Sequence, residues 1–183
     1  MSATLQANSA KSDDSLDPTW SKLASRAMRV VLARRDMSYA ELARALGDIG
    51  VTESARSVEG KIQRGTFRFS FFLQVLAASQ ADCPPPWQTA LTSNSTWEER
   101  ACAVLKVELA QLPWLSSQQL TSRLAEIGVA MQADSLDDQI LGGTFSASLF
   151  LQCAAVCRMS AAHMFVDASS LNDAALAGAT PAR

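Results

Sequence analysis

Seven residues in one short stretch have the types and spacing to grip a polyanion: Arg56, Ser57, Gly60, Lys61 and Arg64, followed at once by Thr66 and Arg68. Placed at about 100° per residue, Ala55, Val58 and Ile62 share one face of a helix, and Glu53, Ser57, Gly60 and Arg64 share the opposite face, flanked by Arg56 and Lys61. Arginine can reach a guanine edge or a phosphate with two parallel hydrogen bonds. Serine is a short donor and acceptor, and glycine lets a backbone approach closely. Thr66 and Arg68, just past the helix, can hold a phosphate. Glu53 and Glu59 oppose this chemistry unless they read cytosine or orient an arginine. The plainer alternative is a solvated helix face with scattered cations.

Other reactive side chains give less. Cys153 and Cys157 are four apart, with His163 beyond, a spacing that invites comparison with metal ligands. Within an internal repeat, however, Cys153 replaces Val75 and Cys102 replaces Ser25, so they read as small core residues. His163 is the only histidine, and no serine or cysteine is spaced to partner it. Asp134, Asp137 and Asp138 cluster near an expected helix start, where negative charge favours the helix dipole without catalysis. Neither a glycine-rich phosphate loop nor a zinc-protease motif occurs. The expectation is a protein that is not an enzyme, with no catalytic residue, no metal and no cofactor.

The elements that position the basic cluster belong to a module present twice. The segment from Ser38 through Gly65-Thr66-Phe67 to Phe72-Leu73-Gln74 returns 78 positions later, from Ser116 through Gly143-Thr144-Phe145 to Phe150-Leu151-Gln152. Leu42 pairs with Leu120, Leu46 with Leu124, and Ile62 with Ile140; shared apolar and glycine positions are what a common fold preserves. The cations are not shared. Arg56, Lys61, Arg64 and Arg68 correspond to Asp134, Gln139, Gly142 and Ser146. Residues 20–82 hold ten Lys or Arg against six Asp or Glu, and residues 97–165 hold four against seven. A polyanion would therefore be met by the first copy.

These patterns predict an all-α protein of two tandem modules, each of four to five helices. Residues 1–17 are polar and aperiodic and read as a disordered tail. Module one covers 18–82: a helix opened by an Asp17 cap and Pro18, a capping box at Ser38-Tyr39-Ala40-Glu41 opening a helix stopped by Gly47, a third helix from about 52 to Gly65, and an apolar fourth over 70–78. Residues 83–95, with Pro84-Pro85-Pro86, read as a stiff extended linker. Module two covers 96–167, opening on the capping box Thr96-Trp97-Glu98-Glu99, and 168–183 reads as a C-terminal tail, with short extra helices expected at 160–165 and 171–176. Trp20, Trp97, Phe67, Phe145, Phe72 and Phe150 recur and are expected in the core, whereas Trp87 and Trp114 are unpaired by the duplication and suit either an inter-module contact or a partner. No apolar run is long enough to span a membrane and no signal-peptide pattern opens the chain, so a soluble, cytoplasmic protein is expected.

Ser38-Tyr39-Ala40-Glu41-Leu42-Ala43, Gly47, Lys61-Ile62, Arg64-Gly65, Phe67 and Phe71-Phe72-Leu73-Gln74 together resemble an uncharacterised family of small bacterial domains related to the lambda-repressor-like helix-turn-helix regulators. In that wider group, Leu-Ala with a glycine four residues on marks the first helix of the motif, and Ile-x-x-Gly marks the end of the recognition helix. Leu42-Ala43 and Gly47 fit the first, and Ile62 and Gly65 the second. The resemblance covers about residues 20–80 and 97–160. It implies a DNA-binding transcription regulator in which module one contacts DNA through Arg56, Ser57, Gly60, Lys61, Arg64, Thr66 and Arg68, and module two serves homodimerisation or a protein partner. The alternative is an interaction adapter or inhibitor that keeps the scaffold without binding DNA.

Overall fold

The computed structural model describes residues 18–179; the expected tail at 1–17, the Asp17 cap and residues 180–183 lie outside the described residues. Module one runs through α1 (Pro18–Arg34), α2 (Tyr39–Asp48), α3 (Ala55–Arg64) and α4 (Phe69–Ala78). The short α5 (Gln88–Thr92) lies in the connection, and α6 (Trp97–Leu109), α7 (Ser117–Glu126), α8 (Ala133–Gly142) and α9 (Ala147–Cys157) repeat the plan, followed by α10 (Ala168–Gly178). The chain is all-α and duplicated. Among the described residues, β-pairing is confined to one antiparallel bridge, Arg68 with Ser146.

Local chemistry sets the helix ends. At Ser38 the hydroxyl accepts from the Glu41 amide (3.3 Å) while the Glu41 carboxylate accepts from the Ser38 amide (2.8 Å), and Thr96 with Glu99 does the same. Ser116 and Gln119 form a third such box. Two expected boundaries move. Gly47 stays inside α2, which ends instead at Ile49 and Gly50, the latter at φ +84°. α3 starts at Ala55 behind Ser54, whose hydroxyl accepts from the Ser57 amide at 3.1 Å.

The arrangement of the modules follows from α4 and α9. Phe69-Ser-Phe-Phe-Leu and Ala147-Ser-Leu-Phe-Leu are buried at every one of those positions, and a helix apolar nearly all round must be covered on all sides. One small module cannot do this. Each therefore borrows from the other: α1 lies on α3 of its own module and across α9 of the second, and α6 lies on α8 and across α4 of the first. The equivalent backbone groups meet reciprocally, with the Phe69 amide donating to the Phe145 carbonyl and the Ala147 amide to the Phe67 carbonyl, both at 3.0 Å. That reciprocity is the signature of a pseudo-twofold axis. Instead of two cores, the buried residues form one continuous cluster through both modules.

The connection is part of this core. Residues 83–95, expected as an extended spacer, form a 3₁₀ turn (Pro85–Trp87) and then α5, because proline's fixed φ and missing amide suit a first helical turn. Trp87 is fully buried; its ring packs against Phe69, Phe150 and Phe165, and its indole N–H donates to the buried Glu108 carboxylate at 2.7 Å. Of its two options, an inter-module contact or a partner, Trp87 takes the first. Residues 168–178, expected within a tail, form α10, which buries Leu171 and Ala174 and packs on α9 and α1. Its cap is Asp167, whose carboxyl the Ser169 hydroxyl and the Ser170 amide and hydroxyl hold far below the usual carboxylate range. The recurring aromatics are buried except Trp97, which is half-buried beneath the Arg100 guanidinium at 4.2 Å.

The repeated Gly-Thr-Phe has a steric cause. Gly65 and Gly143 end α3 and α8 at φ +68° and +62°, and a Cβ there would lie 1.8 Å from the Ser21 carbonyl oxygen and 1.9 Å from that of Glu98. Only glycine lets the third helix of each module seat against the first. Gly65→Ala and Gly143→Ala should each lower stability by at least about 2 kcal/mol, from left-handed backbone strain plus a backbone clash. Because the core is continuous, tryptophan fluorescence and far-UV circular dichroism should report one coincident urea transition in each variant; separate transitions for the two modules would contradict a shared core.

Candidate nucleic-acid interface

Val58 and Ile62 anchor α3 in the core beside α1 and α2, which turns its opposite side outward. Arg56 and Arg64 are exposed on the helix, and Thr66 and Arg68 beyond its end; Ser57, Gly60 and Lys61 are half-buried. The seven predicted residues thus line one edge of module one, but they divide into two groups.

Ser57 and Lys61 are engaged within the protein. The Ser57 hydroxyl donates to one Glu53 carboxylate oxygen at 2.7 Å, and the Lys61 ammonium bonds to the other. Lys61 also lies 5.1 Å from the centre of the Phe71 ring. The Lys61 hydrogen bond, then that of Ser57, hold the Glu53 carboxyl below its ordinary pKa. Glu53 is the hub of this cluster; residue types alone make it an obstacle to anions, a reader of cytosine or a partner that orients an arginine, and the cation it holds is instead a lysine, Lys61. Its spacing to Ser57, one helical turn, was the available signal; the reach to Lys61, eight residues on, was not visible without the fold.

Arg56, Arg64 and Arg68 form the second group, with no hydrogen-bond or ion-pair partner among the described residues. By helical angle Gly60 sits at the centre of the outward face, and the Arg64 side chain folds across it: a Cβ at position 60 would come within 3.1 Å of the guanidinium. Arg68 stands at the N-cap of α4, and its backbone lies in the bridge with Ser146 at the pseudo-twofold axis. Thr66 lies between these arginines. Arg56 and Arg64 are about 12 Å apart along the helix axis, so the free guanidiniums span from the start of α3 to the molecular axis. In α8 the corresponding surface carries exposed Asp134 and Asp138.

The remaining sequence candidates lie elsewhere. Cys153 and Cys157 are buried in α9, burial pushes both thiols up, and His163 is exposed in a 3₁₀ turn (Ser160–Met164). Among the described residues, no group of three or more His, Cys, Asp or Glu could hold a metal ion. No described helix is long and apolar enough to cross a membrane.

Fold and surface define a duplicated helical protein whose halves share a core and differ in charge. The model of the family described as "Domain of unknown function (DUF6471)" matches residues 20–83 and again 97–162, and the chain belongs to that family, in two tandem copies. Nothing matches the chain among curated proteins or among solved structures. The Trp87 connection and α10 fall outside both matched stretches.

The Glu53 cluster has a pH signature. Its carboxyl is depressed in the folded state, so its stabilising contribution is complete above the ordinary glutamate value of about 4.3 and is lost as pH falls through the depressed one. Glu53→Gln should cost up to about 1 kcal/mol at neutral pH, as expected for a partly exposed pair. In urea titrations the variant and the parent should converge as the pH is lowered; a gap unchanged in acid would mean the carboxylate's charge is not what matters.

Proposed function

We propose that this protein is a DNA-binding regulator in which module one meets the phosphate backbone and module two engages a partner or a second copy. The observation that carries the reading is the row of three exposed, unpartnered guanidiniums, Arg56, Arg64 and Arg68, along the outward edge of α3 and its exit. Three fixed cations on one edge repel one another and are best satisfied by a polyanion. Thr66 between them adds a hydroxyl donor, and Gly60 leaves room for the Arg64 guanidinium that folds across it. Ser57 and Lys61 contribute indirectly, through Glu53, by fixing the start of the helix. Base reading then falls to Arg64, which also contributes phosphate affinity, and the other contacts are to phosphate.

A second reading, the adapter or inhibitor that keeps the scaffold without binding DNA, is favoured by the acidic surface of α8 and by two exposed large apolar side chains in module two, Trp114 and Leu141.

Binding of the purified protein to its own upstream DNA and to random DNA, followed across a salt series, separates the two. Each of Arg56→Ala, Arg64→Ala and Arg68→Ala should flatten the dependence of log K on log salt by about 0.9 for the phosphate contact it removes. Arg64→Ala should in addition narrow the preference for the upstream sequence. If the parent protein binds neither DNA even at low salt, the regulator reading fails and the adapter reading takes its place.

A further inference from the structure

The duplication supplies an internal control for every position, and one pair of differences opens a site in module two. In module one, Tyr39 opens α2; its ring is half-buried against the core. Its counterpart is Ser117, at the start of α7, whose hydroxyl turns to the Asp137 carboxylate instead. Where the shorter side chain stands, between α6, α7 and α8, is an open groove of about 220 Å³ whose lining includes Leu109, Leu115, Leu120, Ile140 and Leu141. The rim has changed as well. Gln63, which donates to Glu59 in module one, is replaced by Leu141, 63% exposed. A residue that would fill the space has been lost and an apolar one gained at its edge.

We infer that this groove binds an aromatic side chain, tyrosine or phenylalanine, carried on a basic segment of a protein partner. Module one shows what fits: its own tyrosine stands at the equivalent position, at the start of the equivalent helix, with its ring half-buried against the core. At about 220 Å³ the groove is smaller than the pockets of roughly 300–1,000 Å³ that enclose drug-sized ligands, and it suits a single ring. The charge on α8, one wall of the groove, is negative. α8 carries Asp134, Asp137 and Asp138 and no Lys or Arg, against the one cation lining the groove, Lys106 of α6. Flanking lysines or arginines on the partner would be drawn to that surface. Trp114, 56% exposed on the loop that leads to Leu115, lies under the Arg123 guanidinium, 4.9 Å from its ring centre, so a cation of α7 stands beside this loop as well. The site is separate from the arginine edge of α3 and stands whether or not that edge meets DNA.

The test uses the full chain with methyl-labelled leucine and isoleucine and three probes: p-cresol, acetyl-Lys-Tyr-Lys-amide and acetyl-Glu-Tyr-Glu-amide. All three at millimolar concentration should shift the Leu115, Leu120, Ile140 and Leu141 methyls. The lysine peptide should bind severalfold more tightly than the glutamate peptide, with the difference shrinking as salt rises. Ser117→Tyr, which restores the module-one filling, should abolish these shifts and raise the melting temperature. Leu141→Gln, a surface change that leaves the core intact, should weaken all three probes. Absence of methyl shifts with every probe, or shifts that survive in a folded Ser117→Tyr variant, overturns the site. Equal binding of the two peptides overturns the basic partner. None of these readouts involves DNA, so failure here is distinct from failure of the regulator reading.

Discussion

The contact on which the structure depends is the meeting of α4 and α9 at the pseudo-twofold axis. There Phe69 stacks on Phe150 with ring centres 4.2 Å apart, and Phe145, Phe72, Trp87 and Phe165 close around the pair. Each aromatic contact adds about 0.5–1.5 kcal/mol beyond the area it buries. The two bridging hydrogen bonds hold the entry points of α4 and α9 in register. Neither module can satisfy its fourth helix alone, so the two halves fold as one object. The axis also shows what covalent fusion permits. Position 69 is phenylalanine while its counterpart, 147, is alanine, a large-with-small pairing that two identical chains could not make at a twofold axis.

That shared core leaves the outer surfaces free to diverge. The first and third helices of each module are tied by one requirement, a glycine against a backbone carbonyl; the glycine is the same in both copies, and the carbonyl, being backbone, can belong to Ser21 in one and Glu98 in the other. The residues facing solvent carry no such requirement. One copy therefore displays arginines on its third helix and the other aspartates, at no cost to the packing beneath. Buried substitutions follow new partners too: Glu108 stands where module one has Val31, and it is tolerated because the Trp87 indole N–H, from a connection with no counterpart in module one, donates to it.

Much of the fold was legible. Capping boxes and the apolar periodicity of α1 and α3 depend on residues near one another in sequence, the repeat is read by direct comparison of the two copies, and such signals placed the main helices closely. What was not legible depended on contacts between modules. The prolines at 84–86 read as extended because proline runs usually are; burial of Trp87 draws them into a helical turn. α10 read as no more than a short helix at 171–176 within a tail; its full length is held by surfaces of α9 and α1, against which Leu171 and Ala174 are buried and which the sequence does not bring together. At the candidate interface, the outward placement of Arg56 and Arg64 was visible from helical angle alone. The withdrawal of Ser57 and Lys61 into the Glu53 cluster was not, because a side chain's choice between solvent and a neighbouring carboxylate is fixed by local geometry rather than by residue type.

Under the proposed reading, the asymmetry constrains how DNA is met. A symmetric helix-turn-helix dimer presents two equivalent recognition helices to two half-sites. Here α3 and α8 are related by the pseudo-twofold axis, but Asp134 and Asp138 would turn α8 away from phosphate. Contact is then confined to one half-site, with Arg68 at the molecular axis as its inner limit. Three phosphate contacts give modest affinity, since sequence-independent binding grows with the number of phosphates neutralised. A protein built this way gains affinity by recruiting a second DNA-bound molecule, and the surface available for recruitment is the one that gave up its cations. Under the same reading, the acidic surface of α8 and the groove beside Ser117 would act together as a protein-binding surface in the second module, separate from the edge with which the first would meet nucleic acid.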